Sequence, residues 1–211
     1  MDDFIRALYK EKRETSELSE LRAFAEHNHV PIVREDAEAL LRLLVRLKQP
    51  KSILETGTAI GYSAIAMARA ASVPPQIDTV EIDLDTAAVA RKNIRQMGLH
   101  NEIRVIAGDA AEVLPCLTKQ YDMIFIDSAK GQYLQLYDVI KARLHENGLL
   151  ICDNVIFYGK IFDTPEEAPH KHRTIVSNMR SFLQRLFADP DYTSVILDTG
   201  DGMTVSIKKE F

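Results

Sequence analysis

The chain has 211 residues, 46% of them hydrophobic and 27% charged, and a net charge of −5. These values describe an ordinary globular protein with one sizeable core, and no apolar run approaches the roughly 20 residues that span a bilayer. They also argue against a surface coated in nucleic acid, which draws on many Lys and Arg phosphate contacts, while leaving room for one local basic patch.

The opening MDDFIRALYKEKRE is charged throughout and is no signal peptide. Phe4, Ile5, Leu8 and Tyr9 recur at helical spacing, and Leu18, Leu21, Phe24 and Ala25 do so again. Pro31 interrupts, and REDAEALLRLLVRLK predicts a third helix with an apolar stripe. These helices, about residues 1–49, are expected to form a cap or an oligomer surface on a core of about residues 50–211, all within a single domain. From Lys51 strands alternate with helices. KSILET is followed by the turn GTAIG and the helix YSAIAMARAA. QIDTVEI precedes DLDTAAVARKNIRQMG, and EIRVIAG is a third strand. YDMIFID and the helix GQYLQLYDVIKARL come next, then GLLICDN, a proline-bearing loop and the helix HRTIVSNMRSFLQRLFA. YTSVILDTG and GMTVSIKK meet at Gly200-Asp201-Gly202, which is hairpin chemistry, so the last strand is expected to run antiparallel. Repeated strand-helix units imply a parallel sheet covered on both faces. Cys116 and Cys152 lack metal spacing, and Cys152 ends a predicted buried strand. Reduced thiols and a cytoplasmic setting are therefore expected.

Two apolar runs end in acids: YDMIFID at Asp127 and GLLICDN at Asp153-Asn154. Two carboxylates and an amide oxygen at neighbouring strand ends make a hard-cation site of the Mg²⁺ or Ca²⁺ kind. Lys130, three residues after Asp127, stands where it could remove a proton beside that cation. A structural alternative reads the acids as caps and Lys130 as a surface lysine at a helix start, a position that disfavours cations. The turn Glu55 to Ser63 carries Gly57 and Gly61, which let a backbone approach a ligand. Ala59 replaces the central glycine of the dinucleotide pattern, and no Walker lysine follows, so a P-loop is excluded. Glu81, 24 residues after Gly57, stands where an acid hydrogen-bonds ribose. Asp109 could reach an adenine or cap the next helix.

The ordered set E-x-G-x-x-x-G-Y-S, VEID, GDA, D-x-x-K and DN resembles the class I S-adenosylmethionine (SAM)-dependent methyltransferases. Within them it resembles the cation-dependent O-methyltransferases of the catechol and caffeoyl-CoA type, over about residues 30–209. The resemblance implies a Rossmann-like α/β fold with a seven-stranded, mostly parallel sheet and N-terminal helices. It implies that Glu55, Gly57, Gly61 and Ser63 line the methionine part of SAM, that Glu81 holds the ribose and that Asp109 and Ala110 border the adenine. It further implies that Asp127, Asp153 and Asn154 hold Mg²⁺, that Lys130 is the base, that Val33 closes over the cofactor, and that the protein is a homodimer.

Three oxygen ligands leave about three octahedral positions for water and substrate, so the acceptor should offer two adjacent oxygens. AKGQY (129–133), HKHRTIVSNMRSF (170–182) and GDGMTVSIKK resemble the bacterial branch that methylates 5-hydroxyuridine at the tRNA wobble position. That base carries a hydroxyl beside a carbonyl and can be splayed from a loop onto an aromatic ring. Tyr133, Phe157, Tyr158 and Phe162 are the aromatic candidates. Lys160, Lys171, Arg173 and Arg180, with His170 and His172, are the phosphate candidates, diluted by Asp163, Glu166 and Glu167. A small catechol or phenylpropanoid acceptor is the alternative, and a non-catalytic SAM-binding module is the alternative of another class.

Overall fold

A computed structural model describes residues 16–164 and 167–210, together with Phe4 and Leu8. The helix expected around Phe4, Ile5, Leu8 and Tyr9 therefore lies largely outside the described residues. Two helices lead, α1 (Ser16–His27) and α2 (Glu35–Lys48). Then β1 (Ser52–Thr56), α3 (Tyr62–Ala70), β2 (Gln76–Glu81), α4 (Leu84–Gln96), β3 (Ile103–Ala107), α5 (Ala110–Cys116) and β4 (Tyr121–Ile126) alternate. The chain ends with α6 (Tyr133–Arg143), β5 (Leu144–Cys152), α7 (Arg173–Ala188), β6 (Tyr192–Leu197) and β7 (Met203–Lys208). Helix α5, only seven residues with Pro115 inside it, is implied in the sequence reading only as the helix that Asp109 could cap.

The seven strands form one sheet in the order β3-β2-β1-β4-β5-β7-β6. β7 runs antiparallel to β6, as the glycine-rich turn between them predicted, and to β5, while the pairings among strands β1 to β5 are all parallel. Side chains alternate across the sheet. Ile53, Met123, Phe125 and Ile151 enter the core shared with α1–α4, while Leu54, Ile124, Ile126 and Leu150 enter the core under α5–α7. Both faces being covered, β1 is buried at every residue. The leading helices belong to this core: Leu18, Leu21, Leu41 and Val45 pack with Ile65 and Ala68 of α3. They are more than a cap, because they supply the cover on one face of the sheet.

Sequence order reverses between β1 and β4, whose outward neighbours are β2-β3 on one side and β5 on the other. A crevice opens beyond the carboxyl ends of strands at such a point. Among the described residues no helix is long and apolar enough to cross a membrane. Cys116 is exposed, Cys152 is buried, and both are free thiols.

Candidate active site

A cavity of about 740 Å³ opens at the carboxyl ends of β1, β2 and β4, within the range of small-ligand sites. Gly57, Ala59, Glu81, Asp109, Ala110 and Asp127 line it, and Lys130, Asp153, Asn154 and Tyr158 continue the wall. The segment His29–Arg34 between α1 and α2 closes the opposite side. Of that segment the sequence pointed only to Val33, because it carries no periodic pattern.

Glu81 ends β2 and accepts hydrogen bonds from two backbone amides. Ala59 N–H donates to Oε2 at 2.9 Å and Asp83 N–H to Oε1 at 3.1 Å. The acid thus braces the glycine turn against β2 while keeping lone pairs for a ligand. Asp109 takes the capping role at α5 and also faces the cavity, accepting from Ala111 N–H at 2.8 Å and from Gln132 Nε2 at 3.0 Å.

Gly57 has φ +94°, and a Cβ there would stand 2.2 Å from the Asp127 carbonyl oxygen. Its missing side chain therefore admits the end of β4, and Gly57 also lines the cavity, where the sequence placed a ligand. Gly61, φ +86°, gives way instead to Ile94 and Ala90 of α4. Glu55 and Ser63 are buried at 0% and 7% exposure behind the turn, and neither they nor Gly61 reach the cavity wall. Glu55 Oε2 accepts from Thr79 Oγ1 at 2.5 Å, while Oε1 closes no hydrogen bond within the protein. Burial pushes its carboxyl up to about 7, the hydroxyls of Ser63 and Thr79 pulling it back in part.

The acids at the strand ends converge. The ladder continues past both strands, with Asp127 N–H donating to Thr56 O and Asp153 N–H to Ile126 O, each at 2.9 Å. Burial raises the Asp127 carboxyl well above the usual carboxylate range, and Asp153 adds to the effect against the opposing pull of Lys130. Burial pushes Asp153 to about 6, with Asp201 and Asp36 contributing in the same direction. Asn154, held at φ +56°, turns its side chain to Lys130, whose Nζ donates to Asn154 Oδ1 at 3.1 Å. Lys130 is half-buried and opens a short 3-10 turn, so the surface-lysine alternative does not describe it. Among the described residues no three His, Cys, Asp or Glu side chains gather as a metal site. The set here is two acids completed by an amide oxygen. Buried like charges of this kind call for a compensating cation, and all-oxygen donors fit Mg²⁺ or a similar hard ion.

The acceptor candidates separate. Tyr133 does not face the cavity. It is fully buried, and its hydroxyl donates between the Ile126 and Asp153 carbonyls at 3.1 and 2.9 Å, fixing the backbone beneath the acids. Tyr158 and Phe162 are 77% and 76% exposed, and only Tyr158 lines the cavity. Lys160 Nζ lies over the rings of Phe157 and Tyr158, 5.1 and 5.2 Å from their centroids. Phe157 itself is buried. Arg180 donates to the Ile161 and Asp163 carbonyls, and Arg173 to the Ala168 carbonyl, so both pin the loop from inside. Lys171 and His170 are exposed, and His172 packs edge-on against Phe157.

The O-methyltransferase family profile matches residues 9–209. The chain is 36% identical over 178 residues to a catechol O-methyltransferase of Niastella koreensis, covering 80% of this chain and 78% of that protein. It is 28% identical over 205 residues to caffeoyl-CoA O-methyltransferase 2 of Petunia hybrida, covering 92% of this chain and 84% of that protein. The crystal structure of an O-methyltransferase from Bacillus cereus in complex with SAH (S-adenosylhomocysteine) superposes with a TM-score of 0.83 at 26% identity, covering 94% of this chain and 93% of that one. The crevice at the strand-order reversal, the acid-braced glycine turn and these matches together place the chain in the O-methyltransferase family, as an S-adenosylmethionine-dependent enzyme.

Proposed function

We propose that the protein transfers a methyl group from SAM to a hydroxyl that has a second oxygen beside it, with Asp127, Asp153 and Asn154 holding Mg²⁺ and Lys130 taking the hydroxyl proton. The observation that carries this is the contact of Lys130 Nζ with Asn154 Oδ1 at 3.1 Å, beside the buried Asp153 and the half-buried Asp127 on the cavity wall. When bound, SAM supplies a methyl group on a sulfonium, and a divalent cation supplies charge that favours an acceptor oxyanion. Glu81 holds the ribose of the cofactor, and Asp109 and Ala110 border its base. The Tyr133 hydroxyl fixes the Asp153 backbone carbonyl, and Asn154 N–H donates to Asp153 Oδ1 at 2.7 Å, which orients the carboxylate.

Two acceptors suit this site. A small catechol or phenylpropanoid is the one the comparisons favour, since relatives over most of the chain bear catechol and caffeoyl-CoA O-methyltransferase names. The second reading is 5-hydroxyuridine at the tRNA wobble position. It is favoured by the likeness of AKGQY and the segment 170–182 to that branch, and by exposed Tyr158 with Lys160 over its ring at the cavity mouth. An aromatic face beside a cation suits an unstacked base and its phosphate.

Two measurements test the proposal. Methyl transfer that survives both EDTA and Lys130→Ala would overturn the mechanism. For the acceptor, purified enzyme is offered catechol and caffeate in vitro, and tRNA nucleosides from a deletion strain are measured by mass spectrometry. Turnover of the catechols with unchanged 5-methoxyuridine establishes the first reading, and lost 5-methoxyuridine without catechol turnover establishes the second.

A further inference from the structure

Arg22, Glu38 and Tyr62 are 4%, 4% and 1% exposed, yet they form a charged network between three helices. Arg22 on α1 donates through Nη2 to Glu38 Oε2 on α2 at 2.7 Å and through Nε to the Tyr62 hydroxyl on α3 at 3.0 Å. The Tyr62 hydroxyl donates to the same Glu38 oxygen at 2.8 Å, and the guanidinium stacks 4.6 Å from the Tyr62 ring centroid. Arg42 approaches the other Glu38 oxygen at 3.6 Å.

A buried ion pair is weak evidence for stability, because desolvation consumes most of its attraction, and a well-packed apolar replacement is often as stable. A directional role explains its presence better, and the network has two ends that reach the cavity. At one end Arg22 Nη2 also donates to the Val33 carbonyl at 2.9 Å, and Val33 belongs to the His29–Arg34 wall. At the other end Tyr62 directly follows Gly61 and opens α3, three residues after Ala59, which lines the cavity and bonds Glu81. The planar guanidinium fixes three partners at set angles, a task for which a lysine is a poor substitute.

We infer that Arg22, with Glu38 and Tyr62, is a positioning residue for the cofactor: it locks the 29–34 wall to the 57–62 turn and keeps the cavity formed before SAM arrives. This rests on the cavity being the SAM site and is independent of the acceptor. It also gives the leading helices a role in cofactor binding.

The test compares SAH affinity by calorimetry with thermal stability, using wild type, Tyr62→Phe and the all-apolar variant Arg22→Met/Glu38→Leu/Tyr62→Phe. A purely structural network changes the melting temperature and leaves the affinity of folded protein alone. Positioning predicts SAH binding weakened on the order of tenfold in the all-apolar variant, less than the roughly hundredfold that an ångström of misplacement can cost. Tyr62→Phe keeps the Arg22 tie to Val33 and Glu38 and frees only the turn. It should raise KM for SAM several-fold with kcat retained, whether or not the all-apolar variant folds. Wild-type affinity in a folded all-apolar variant, or an unchanged KM in Tyr62→Phe, overturns the inference. If wild-type protein fails to bind SAH, the cofactor-site reading falls first and this inference with it.

Discussion

Glu55→Gln isolates the free energy of a buried carboxylate. Glu55 is wholly buried at the end of β1, and burial raises its pKa from 4.5 to about 7. Between those values the folded protein keeps a proton that the unfolded chain has released. Folding is therefore progressively disfavoured as pH rises from 4.5, and the full cost stands above 7. At about 1.4 kcal/mol per unit, a shift of roughly 2.5 units amounts to about 3 kcal/mol. Glutamine stays neutral throughout. The variant should match or trail the wild type near pH 4.5 and exceed it by about 3 kcal/mol near pH 8. The Thr79 hydroxyl can keep its bond to the amide oxygen, and any penalty for the unpartnered amide N–H is independent of pH, so only the slope matters. Urea denaturation of the cofactor-free protein at several pH values, in EDTA, reads that slope. A wild-type-to-variant difference that stays constant across pH would refute the reasoning and mean that Glu55 ionises freely in the folded state.

Three further outcomes follow from the site. Lys130→Ala should lower kcat by roughly 10²- to 10⁴-fold, the usual contribution of a general base, while SAH affinity measured by calorimetry stays unchanged. Mg²⁺ affinity should rise as pH rises through about 6, because a proton on Asp153, whose carboxyl sits near that value, competes with the cation; titration of the metal at acidic and neutral pH measures it. Gly57→Ala should cost about 3 kcal/mol or more in thermal denaturation and abolish SAH binding, since the new Cβ falls 2.2 Å from the Asp127 carbonyl oxygen at a φ of +94°.

Much of the fold was legible because apolar runs of strand length alternated with amphipathic helices. The site acids were legible because they end those runs. The rest was lost for physical reasons. Strand β1 is covered on both faces, so no alternation of polar and apolar residues tells which side Glu55 takes; it lies behind the turn and off the cavity wall. Tyr133 is three residues from Lys130, but the turn from 3-10 to α-helix carries it under the strands, where its hydroxyl serves two carbonyls. Gly57 meets a second demand that local sequence does not show: it lines the cavity and also admits backbone from a strand 70 residues on in the chain. The wall at 29–34 has no local signature, because it is positioned by Arg22, whose partners lie 11, 16 and 40 residues away.

Asp127 and Asp153 look unfavourable in isolation, since burial raises both carboxyls, with Asp153 adding to the effect on Asp127 and Asp201 and Asp36 adding to the effect on Asp153. The sheet makes the arrangement possible. β4 and β5 are neighbours in register at Ile126 and Cys152, so the next residue of each strand emerges on the same face. That is the face of Phe125 and Ile151, the side covered by α1–α4, and Gly57 of β1 stands against Asp127 there. The backbone ladder continues through both acids and fixes where each leaves the sheet. Under the proposed mechanism a hard cation would meet these oxygens already in place, the condition for preorganised electrostatic catalysis. The same constraint explains the position of Lys130: its side chain lies against Asn154, near enough to offset the two acids in part.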